Sequence, residues 1–316
     1  MDRVAQMGRM VGESALLVSV GPLVTGFIQK TKARLQCRQG ASVWQPYRDL
    51  AKLLRKGTVQ SDSASPFFRA VPVLVLAATV TTTTMLPVLW APAGSTRPPI
   101  GDAILLLALL ALARFLCAIG ALDAGGAFGG MGASREMTVG LLVEPALMMA
   151  VFSIAVAGGT TDLADLAARR GTLAALSWQA PDLLALFAVL ILTIAETGRI
   201  PVDNPDTHLE LTMLHEGMLL EHSGPGLACL ALATHTKQVV ILTFVAALFF
   251  PLGLARGGAP VEVAVALAAF AIKVVGLATF LAVVESSYAK LRFFRVPQFL
   301  GLGLVCAFVA LALRVL

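Results

Sequence analysis

Long apolar segments alternate with short polar segments along the whole chain. Each apolar segment is about as long as the ~20 residues that an α-helix needs to cross the hydrocarbon core of a bilayer. The pattern predicts an all-α, polytopic integral membrane protein in which residues 1–316 form a single membrane domain. Eight transmembrane helices are predicted at 11–29, 70–90, 102–121, 138–157, 182–196, 227–250, 261–284 and 298–315.

Four polar segments between the predicted helices belong on one side of the membrane. They are a basic loop (30–69), a glycine-rich loop (122–134), an acidic and histidine-rich loop (197–226) and a short basic loop (286–297). This side holds 14 of the 24 Lys and Arg residues, the other side holds seven and three lie within spans. The positive-inside rule therefore predicts that the four loops are cytoplasmic and that both termini lie on the other, non-cytoplasmic side of the cell inner membrane.

Composition agrees with a membrane location. Hydrophobic residues make up 57% of the chain and charged residues 14%, whereas about 25% of the residues of a soluble domain are charged. The net charge of +5 does not indicate nucleic-acid binding, because nine basic residues fall in the 30–69 loop. That loop is suited either to anionic membrane lipid or to an acidic face of a cytoplasmic partner.

Cysteine spacing argues against a metal centre in this chain. The four cysteines lie far apart and form no CxxC pair, so neither a zinc site nor an iron–sulfur cluster is expected. His208, His215 and His222 are seven residues apart, which on a helix separates neighbours by about 10 Å. They are too far apart to share one metal, so titrating or hydrogen-bonding roles are expected instead.

The segment ETGRIPVDNPDTHLELTMLHEGMLLEHSG, residues 196–224, carries the most unusual chemistry of the chain. Acidic residues and histidines stand close together near a membrane boundary. Glu196 and Arg199 can pair if the fifth helix continues, and residues 207–220 have the periodicity of a short amphipathic helix. Carboxylates and imidazoles linked by water are what proton movement requires. A solvated charged loop is the alternative interpretation.

Ionisable residues also interrupt the apolar segments. Glu144 lies about two turns inside the fourth helix, where a lone carboxylate is costly and usually marks an ion pathway. Lys237 and Lys273 are similar candidates, and either is also suited to be the salt-bridge partner of a buried Glu. Arg114 lies about two turns from the cytoplasmic end of the third helix, where we expect its long side chain to extend outward to the interface.

Three long motifs resemble the complex I subunit 1 family: KARLQCRQG, LDAGGAFGGMGASREMTVGLLVEPALM and ETGRIPVDNPDTHLELTMLHEGMLLEHSGP. They are most similar to its membrane-bound, energy-converting nickel–iron hydrogenase branch, which includes formate hydrogenlyase. The resemblance covers nearly the whole chain. It implies a non-catalytic subunit without a redox centre that anchors a peripheral electron-transfer arm and links its redox chemistry to proton translocation.

The resemblance also implies roles for individual residues. Arg135 and Arg199 would be charge partners of the acidic chain, and Arg34, Gln36 and Arg38 would contact the peripheral arm. Together with the residue chemistry above, it predicts a proton pathway of Glu144, Glu196, Asp203, Asp206, His208, Glu210, Glu216, Glu221, Lys237 and Lys273.

Partners and cofactors follow from the same resemblance. The expected partners are the hydrogenase large and small subunits, an iron–sulfur protein and antiporter-like membrane subunits. The nickel–iron centre and the iron–sulfur clusters are expected in those subunits, with no cofactor bound by this chain.

Three alternative functions remain at this point. The first is the quinone-binding membrane subunit of complex I, against which the less acidic stretch 206–208 and His222, where that branch has Tyr, both argue. The second is an autonomous proton-coupled transporter. The third is a membrane anchor whose carboxylates are purely structural.

Overall fold

Eleven α-helices account for most of the residues that the computed structural model describes, which are 2–59, 64–90, 101–171, 178–203, 214–255, 257, 259–289, 291 and 293–316. In chain order they are α1 (Asp2–Leu35), α2 (Gln45–Leu54), α3 (Pro66–Thr83), α4 (Ala103–Asp123), α5 (Ala127–Gly158), α6 (Leu163–Arg170), α7 (Ala180–Glu196), α8 (His215–Leu219), α9 (Gly224–Phe249), α10 (Pro260–Ser287) and α11 (Val296–Val315).

Within these ranges, seven helices are long and apolar enough to cross a membrane: α1, α3, α4, α5, α9, α10 and α11. Helix α7 has 17 residues, which at 1.5 Å per residue reach about 25 Å. It packs between α5 and α11, so it completes a bundle of eight. The prediction of an all-α polytopic membrane protein with about eight spans is confirmed.

Helix α9 lies at the centre of the bundle. Its most apolar window is 78% buried, whereas those of α10 and α11 are 28% buried. Helix α9 contacts α1 and α3, α4 packs between α3 and α5, and α11 packs on α5 and α7. Helices α1, α4, α5, α7 and α9 therefore surround the interior, and the outer face of α10 is left for lipid or for another subunit.

All eight long helices have one end at the same side of the bundle. We call it the basic-loop end, because α1 ends there and α2 follows; the other is the opposite end.

Several helices start at side-chain caps. The Ser65 hydroxyl accepts a hydrogen bond from the Phe67 N–H at 3.1 Å, and the Asp102 carboxylate accepts one from the Ile104 N–H at 2.9 Å.

The predicted glycine-rich loop 122–134 is wrong for most of its length, because α5 already begins at Ala127. Its glycines allow other backbone segments to approach this helix. A Cβ atom on Gly129 would lie 2.9 Å from the Ala121 carbonyl oxygen, and one on Gly132 would lie 3.0 Å from the Leu214 carbonyl oxygen. The glycines therefore serve close helix packing.

Two other boundaries differ from the predicted ones. Helix α3 ends at Thr83 and not at residue 90, since Pro87 cannot continue a helix. The Glu13 carboxylate accepts hydrogen bonds from the backbone N–H groups that follow, at 2.7 Å from Leu89 and 3.0 Å from Trp90. The basic loop also contains α2, which the hydrophobic pattern did not predict. Of the helix predicted at 207–220, residues 207–213 lie outside the described part.

Candidate functional site

Five charged side chains meet inside the bundle, between α4, α5, α7 and α9. They are Arg114, Glu136, Glu144, Glu196 and Lys237, here called the membrane charge cluster. Arg114 Nη1 donates to Glu144 Oε1 at 2.5 Å, and Nη2 donates to Glu196 Oε1. Arg114 Nε lies 3.4 Å from Glu136 Oε1, and Lys237 Nζ lies 2.7 Å from Glu196 Oε2. One guanidinium therefore joins carboxylates from two helices.

Arg114 is the centre of this cluster, contrary to the prediction that it extends to the interface. It lies nine residues before the end of α4, or about 13 Å along the helix axis, and its side chain is only 4% exposed. Three carboxylates supplied by α5 and α7 compensate the guanidinium where it is. Because these carboxylates compensate its charge, the guanidinium stays inside the bundle and does not extend to the membrane interface.

Carboxylates outnumber cations in the cluster by three to two. Glu196, with a side chain only 3% exposed, contacts both cations. The ion pairs of Glu136 and Glu144 in the described residues are with Arg114 alone. Glu136 and Glu144 therefore share one cation, whereas Glu196 contacts two.

A polar cavity of 170 Å³ adjoins the cluster towards the basic-loop end. A water occupies about 30 Å³ in the liquid, so the cavity has room for several. Its ionisable lining residues are Glu136, Glu196, Arg199, Asp203, His215, Glu216, His235 and Lys237. The cavity thus connects the cluster with residues that follow α7.

A second cavity of 160 Å³ lies on the other side of Glu196. Leu107 and Leu147 contribute to its largely apolar wall, and Glu144 and Glu196 contribute the ionisable groups. The Glu144 side chain is 44% exposed. Carboxylates therefore extend from the polar cavity, past Arg114, to a surface of the bundle at the depth of the spans.

His215 lines the polar cavity from α8, outside the membrane spans. Burial lowers its pKa below the usual value of 6.5, and the nearby carboxylate of Glu136 opposes that shift. Its Nε2 lies 3.2 Å from the Thr234 hydroxyl oxygen. A neutral imidazole with one bonded nitrogen is suited to pass protons between the cavity water and its neighbours.

Arg199 does not pair with Glu196 as predicted. Helix α7 ends at Glu196, and Gly198 adopts a left-handed φ of 59°, so Arg199 leaves the helical face. Its Nη1 lies 3.3 Å from Glu285 Oε2 on α10, and its Nη2 donates to Gln238 Oε1 on α9 at 3.1 Å. Lys32 Nζ lies 3.9 Å from the same Glu285. These contacts tie α1, α9 and α10 to the segment after α7.

Residues 10–315 match the protein family described as NADH dehydrogenase. The chain belongs to the NADH dehydrogenase subunit 1 family. The family resemblance of the three sequence motifs is thereby confirmed.

Two relatives are similar over almost their whole length. Formate hydrogenlyase subunit 4 of Escherichia coli (strain K12) is 35% identical over 304 residues, which cover 94% of this chain and 95% of the relative. Hydrogenase-4 component C of the same organism is 33% identical over 305 residues, which cover 95% and 93%. An NADH-quinone oxidoreductase subunit of Salinibacter ruber is 24% identical, with 77% and 72% covered.

A solved structure shares the fold. The chain superposes on a chain of the archaeal membrane-bound sulfane sulfur reductase, a respiratory membrane complex, with a TM-score of 0.81. The match covers 98% of this chain and 99% of the other at 20% sequence identity. At this identity the likeness concerns the family fold alone.

The structure brings several of the predicted pathway residues to the polar cavity. Glu196, Asp203, Glu216 and Lys237 line it, together with Arg199. Asp203 is 4% exposed, and its Oδ2 accepts a hydrogen bond from the Leu214 N–H at 3.3 Å. Glu144 joins them through Arg114. Asp206, His208 and Glu210 lie outside the described residues.

Three other predicted residues lie apart from the cavity. Glu221 has its carboxylate against Gly126 at the start of α5, where the helix dipole favours a negative charge. Lys273 donates to the Leu252 carbonyl oxygen at 3.0 Å, towards the opposite end. Arg135 is half-buried on α5 beside Glu136 and is absent from the lining of the polar cavity.

The residues predicted to contact a peripheral arm lie just before and after the end of α1. Arg34 and Arg38 are exposed, Gln36 is half-buried, and Arg38 Nη2 donates to Gln36 Oε1. The three side chains form a polar surface at the basic-loop end, separate from the membrane charge cluster.

Sequence reasoning missed Arg114 as a functional candidate and did not consider Glu136, Glu285 or Lys32. Arg114 gave a usable signal, because an arginine nine residues inside an apolar span usually faces the bundle interior. Glu136 was hidden by the glycines before it, which made the start of α5 resemble a loop. Within the described ranges, no group of three or more His, Cys, Asp or Glu side chains is arranged to hold a metal ion.

Proposed function

We propose that this chain is the membrane-anchor and proton-pathway subunit of a membrane-bound nickel–iron hydrogenase complex of the formate hydrogenlyase type. It has no redox centre of its own in this proposal. Its role is to couple redox chemistry in a peripheral arm to proton translocation across the inner membrane. The two Escherichia coli relatives, similar over more than nine-tenths of the chain, support the hydrogenase branch.

One observation carries the proton pathway: Arg114 holds Glu144 and Glu196 between a polar cavity and a half-exposed face of the bundle. Moving the shared guanidinium contact from one carboxylate to another would change which of them holds a proton most easily. Water in the cavity would supply protons at one side. Glu144 would deliver them at the other side, where an antiporter-like membrane subunit would cover its exposed carboxylate.

Orientation and partners complete the proposal. The basic-loop end would face the cytoplasm, with both termini outside, and the surface of Arg34, Gln36 and Arg38 would meet the peripheral arm. That arm would contain the hydrogenase large and small subunits and an iron–sulfur protein. The nickel–iron centre and the iron–sulfur clusters would belong to those subunits.

The pathway is tested with Glu144→Gln in the native complex. The amide keeps the shape and a hydrogen bond to Arg114 but cannot carry a proton. We expect hydrogen evolution to continue while proton movement coupled to it is lost, measured with a pH-sensitive dye in inverted membrane vesicles. Glu262→Gln, on the exposed first turn of α10 at the opposite end, is the matched control and should leave coupling intact.

An anchor with purely structural carboxylates predicts another result. The Glu144→Gln complex would then assemble, evolve hydrogen and move protons as the unmodified complex does. That outcome would overturn the pathway and leave only the anchoring role.

The branch of the family is tested by identifying the subunits that co-purify with the chain. Mild-detergent purification of the tagged chain should recover hydrogenase and iron–sulfur subunits with hydrogen-evolving activity. Recovery of NADH-oxidising flavoprotein subunits would assign the chain to complex I instead. Recovery of the chain alone, with proton-coupled transport in liposomes, would assign it to an autonomous transporter.

A further inference from the structure

A cavity on the outer side of α3 and α9 lies away from the membrane charge cluster. Its volume is 200 Å³, and it opens at the basic-loop end, where α3 and α9 both begin. Arg69, His222 and Ser223 are among its lining residues, with Thr58 and Cys229. Among the described lining residues there is one cation and no carboxylate. The charge of the cavity therefore favours an anion.

His222 is a buried polar side chain without a partner in this wall. The residue is 7% exposed, and Nε2 has no hydrogen-bond partner among the described residues. Its ring stacks on Phe68 with the two planes 1° apart and the ring centres separated by 4.1 Å. Burial lowers the pKa of His222 to about 4, so the imidazole is neutral near pH 7. An unsatisfied buried polar group is costly, and an oxygen-rich ligand would remove that cost.

The first turn of α9 supplies a further backbone N–H at the same place, that of Gly226, because Pro225 beside it has none. Ser223, the residue before α9, does not cap the helix with its side chain. Its hydroxyl instead donates to the Val59 carbonyl at 2.6 Å and accepts from the Val59 N–H at 2.7 Å. Pro225 and Gly226, in that first turn, line the cavity. The uncapped start of a 26-residue helix is a favourable place for a phosphate group.

The position relative to the membrane indicates where such a phosphate would come from. Val73, one turn along α3 from Arg69, lines the cavity and is 61% exposed. Phe67 on the same helix is 37% exposed. These apolar side chains continue from the cavity along the outside of the bundle, as acyl chains attached to a bound head group would.

We propose that this cavity binds the phosphate group of a membrane phospholipid, between Arg69, His222 and the first turn of α9. The phosphate oxygens accept hydrogen bonds from the guanidinium, the imidazole and the Gly226 N–H at the start of α9, while the acyl chains lie along α3. The bound lipid would fix the basic loop, which Ser223 already joins to α9 through Val59. This site does not depend on the hydrogenase assignment.

The test uses the full-length chain, purified from its native membrane with whatever subunits accompany it and stripped of lipid by detergent washing. The probe is dioleoyl-phosphatidylglycerol, with binding read by native mass spectrometry. Dioleoylglycerol, which lacks the phosphate, and inorganic phosphate are the comparison ligands. Arg69→Gln and His222→Phe are the variants. The matched control is Arg55→Gln, an exposed arginine directly after α2 that does not line the cavity.

We expect phosphatidylglycerol to bind about tenfold more weakly to Arg69→Gln, because a hydrogen bond to a charged group is lost. His222→Phe should also bind more weakly, since it keeps the stacking on Phe68 but lacks Nε2, and Arg55→Gln should bind as the unmodified chain does. Should His222→Phe fail to fold, Arg69→Gln decides alone because its side chain is exposed.

Three results would overturn the proposal. Equal affinity of the unmodified chain and Arg69→Gln for phosphatidylglycerol would show that the lipid does not bind at this cavity. Dioleoylglycerol binding as tightly as phosphatidylglycerol would remove the role of the phosphate. Inorganic phosphate that binds without lipid and displaces phosphatidylglycerol completely would assign the cavity to free phosphate and overturn the lipid source.

Discussion

Two of the ion-pair groups that join long helices differ in their chemistry: the membrane charge cluster within the bundle and the group around Asp182 at the opposite end. In the membrane charge cluster, carboxylates outnumber cations, and cavities of 170 and 160 Å³ adjoin them. At the opposite end, Asp182 is bound by two arginines: its Oδ1 accepts from Arg170 Nη2 at 2.8 Å and from Arg314 Nη2 at 2.6 Å. The Oδ2 atom accepts from the Gln179 N–H at 3.1 Å.

The difference between the two groups lies in how completely each charge is compensated. Asp182 is one carboxylate with two guanidiniums and a capping role at the start of α7, so it has no reason to change its protonation. The membrane charge cluster has a surplus carboxylate and room for water. We therefore expect ion pairs at the opposite end to act on stability alone, and those around Arg114 to act on stability and proton movement.

The largest effect is expected for Arg114→Leu. It leaves Glu136, Glu144 and Glu196 close together without their shared cation, and breaking a buried ion pair in this way costs about 3–5 kcal/mol. The free energy of unfolding, measured by denaturant titration of the purified chain in mild detergent, should fall by that amount. A loss below about 1 kcal/mol, the range of exposed pairs, would show that the cluster is not buried in the folded chain.

Asp182→Asn should have a smaller effect and no effect on coupling. Arg170 and Arg314 keep part of their hydration, since 20% and 12% of their side chains are exposed, so we expect a loss of about 1–3 kcal/mol in the same titration. Proton movement per hydrogen evolved should be unchanged in vesicles. A coupling defect in a fully assembled Asp182→Asn complex would erase the distinction between the two groups.

These two groups also mark what the sequence could predict. Eight spans follow from the length and apolarity of their segments, which are local properties. Arg114 and Glu196 are 82 residues apart in the sequence, so their contact depends on how their two helices pack. Glu136 was lost for a related reason, because the glycines that permit that packing also resemble a loop. Conversely, Lys237 was predicted as a possible partner of a buried Glu, and it does contact Glu196.

The smallest effect concerns the pH dependence of stability. Among the described residues, the membrane charge cluster has His215 at its polar cavity, and the group around Asp182 contains no histidine. Burial lowers the pKa of His215 in the folded chain below its ordinary 6.5, and Glu136 and Asp203 oppose this shift while Lys237 and Arg114 reinforce it. Below that ordinary value the unfolded chain binds the additional proton, so His215 favours the folded state above about pH 6.5 and this advantage is lost as the pH falls.

His215→Gln tests that sign, because glutamine retains a hydrogen-bonding group for Thr234 but does not titrate in this range. Thermal unfolding of the purified chain should be compared between about pH 5 and pH 7.5. The unmodified chain should lose more of its midpoint temperature on acidification than His215→Gln does, and Asp182→Asn should keep the pH slope of the unmodified chain. If His215→Gln and the unmodified chain have the same slope, His215 is already protonated or remains exposed to water, and a proton path through it would have to begin at a carboxylate instead.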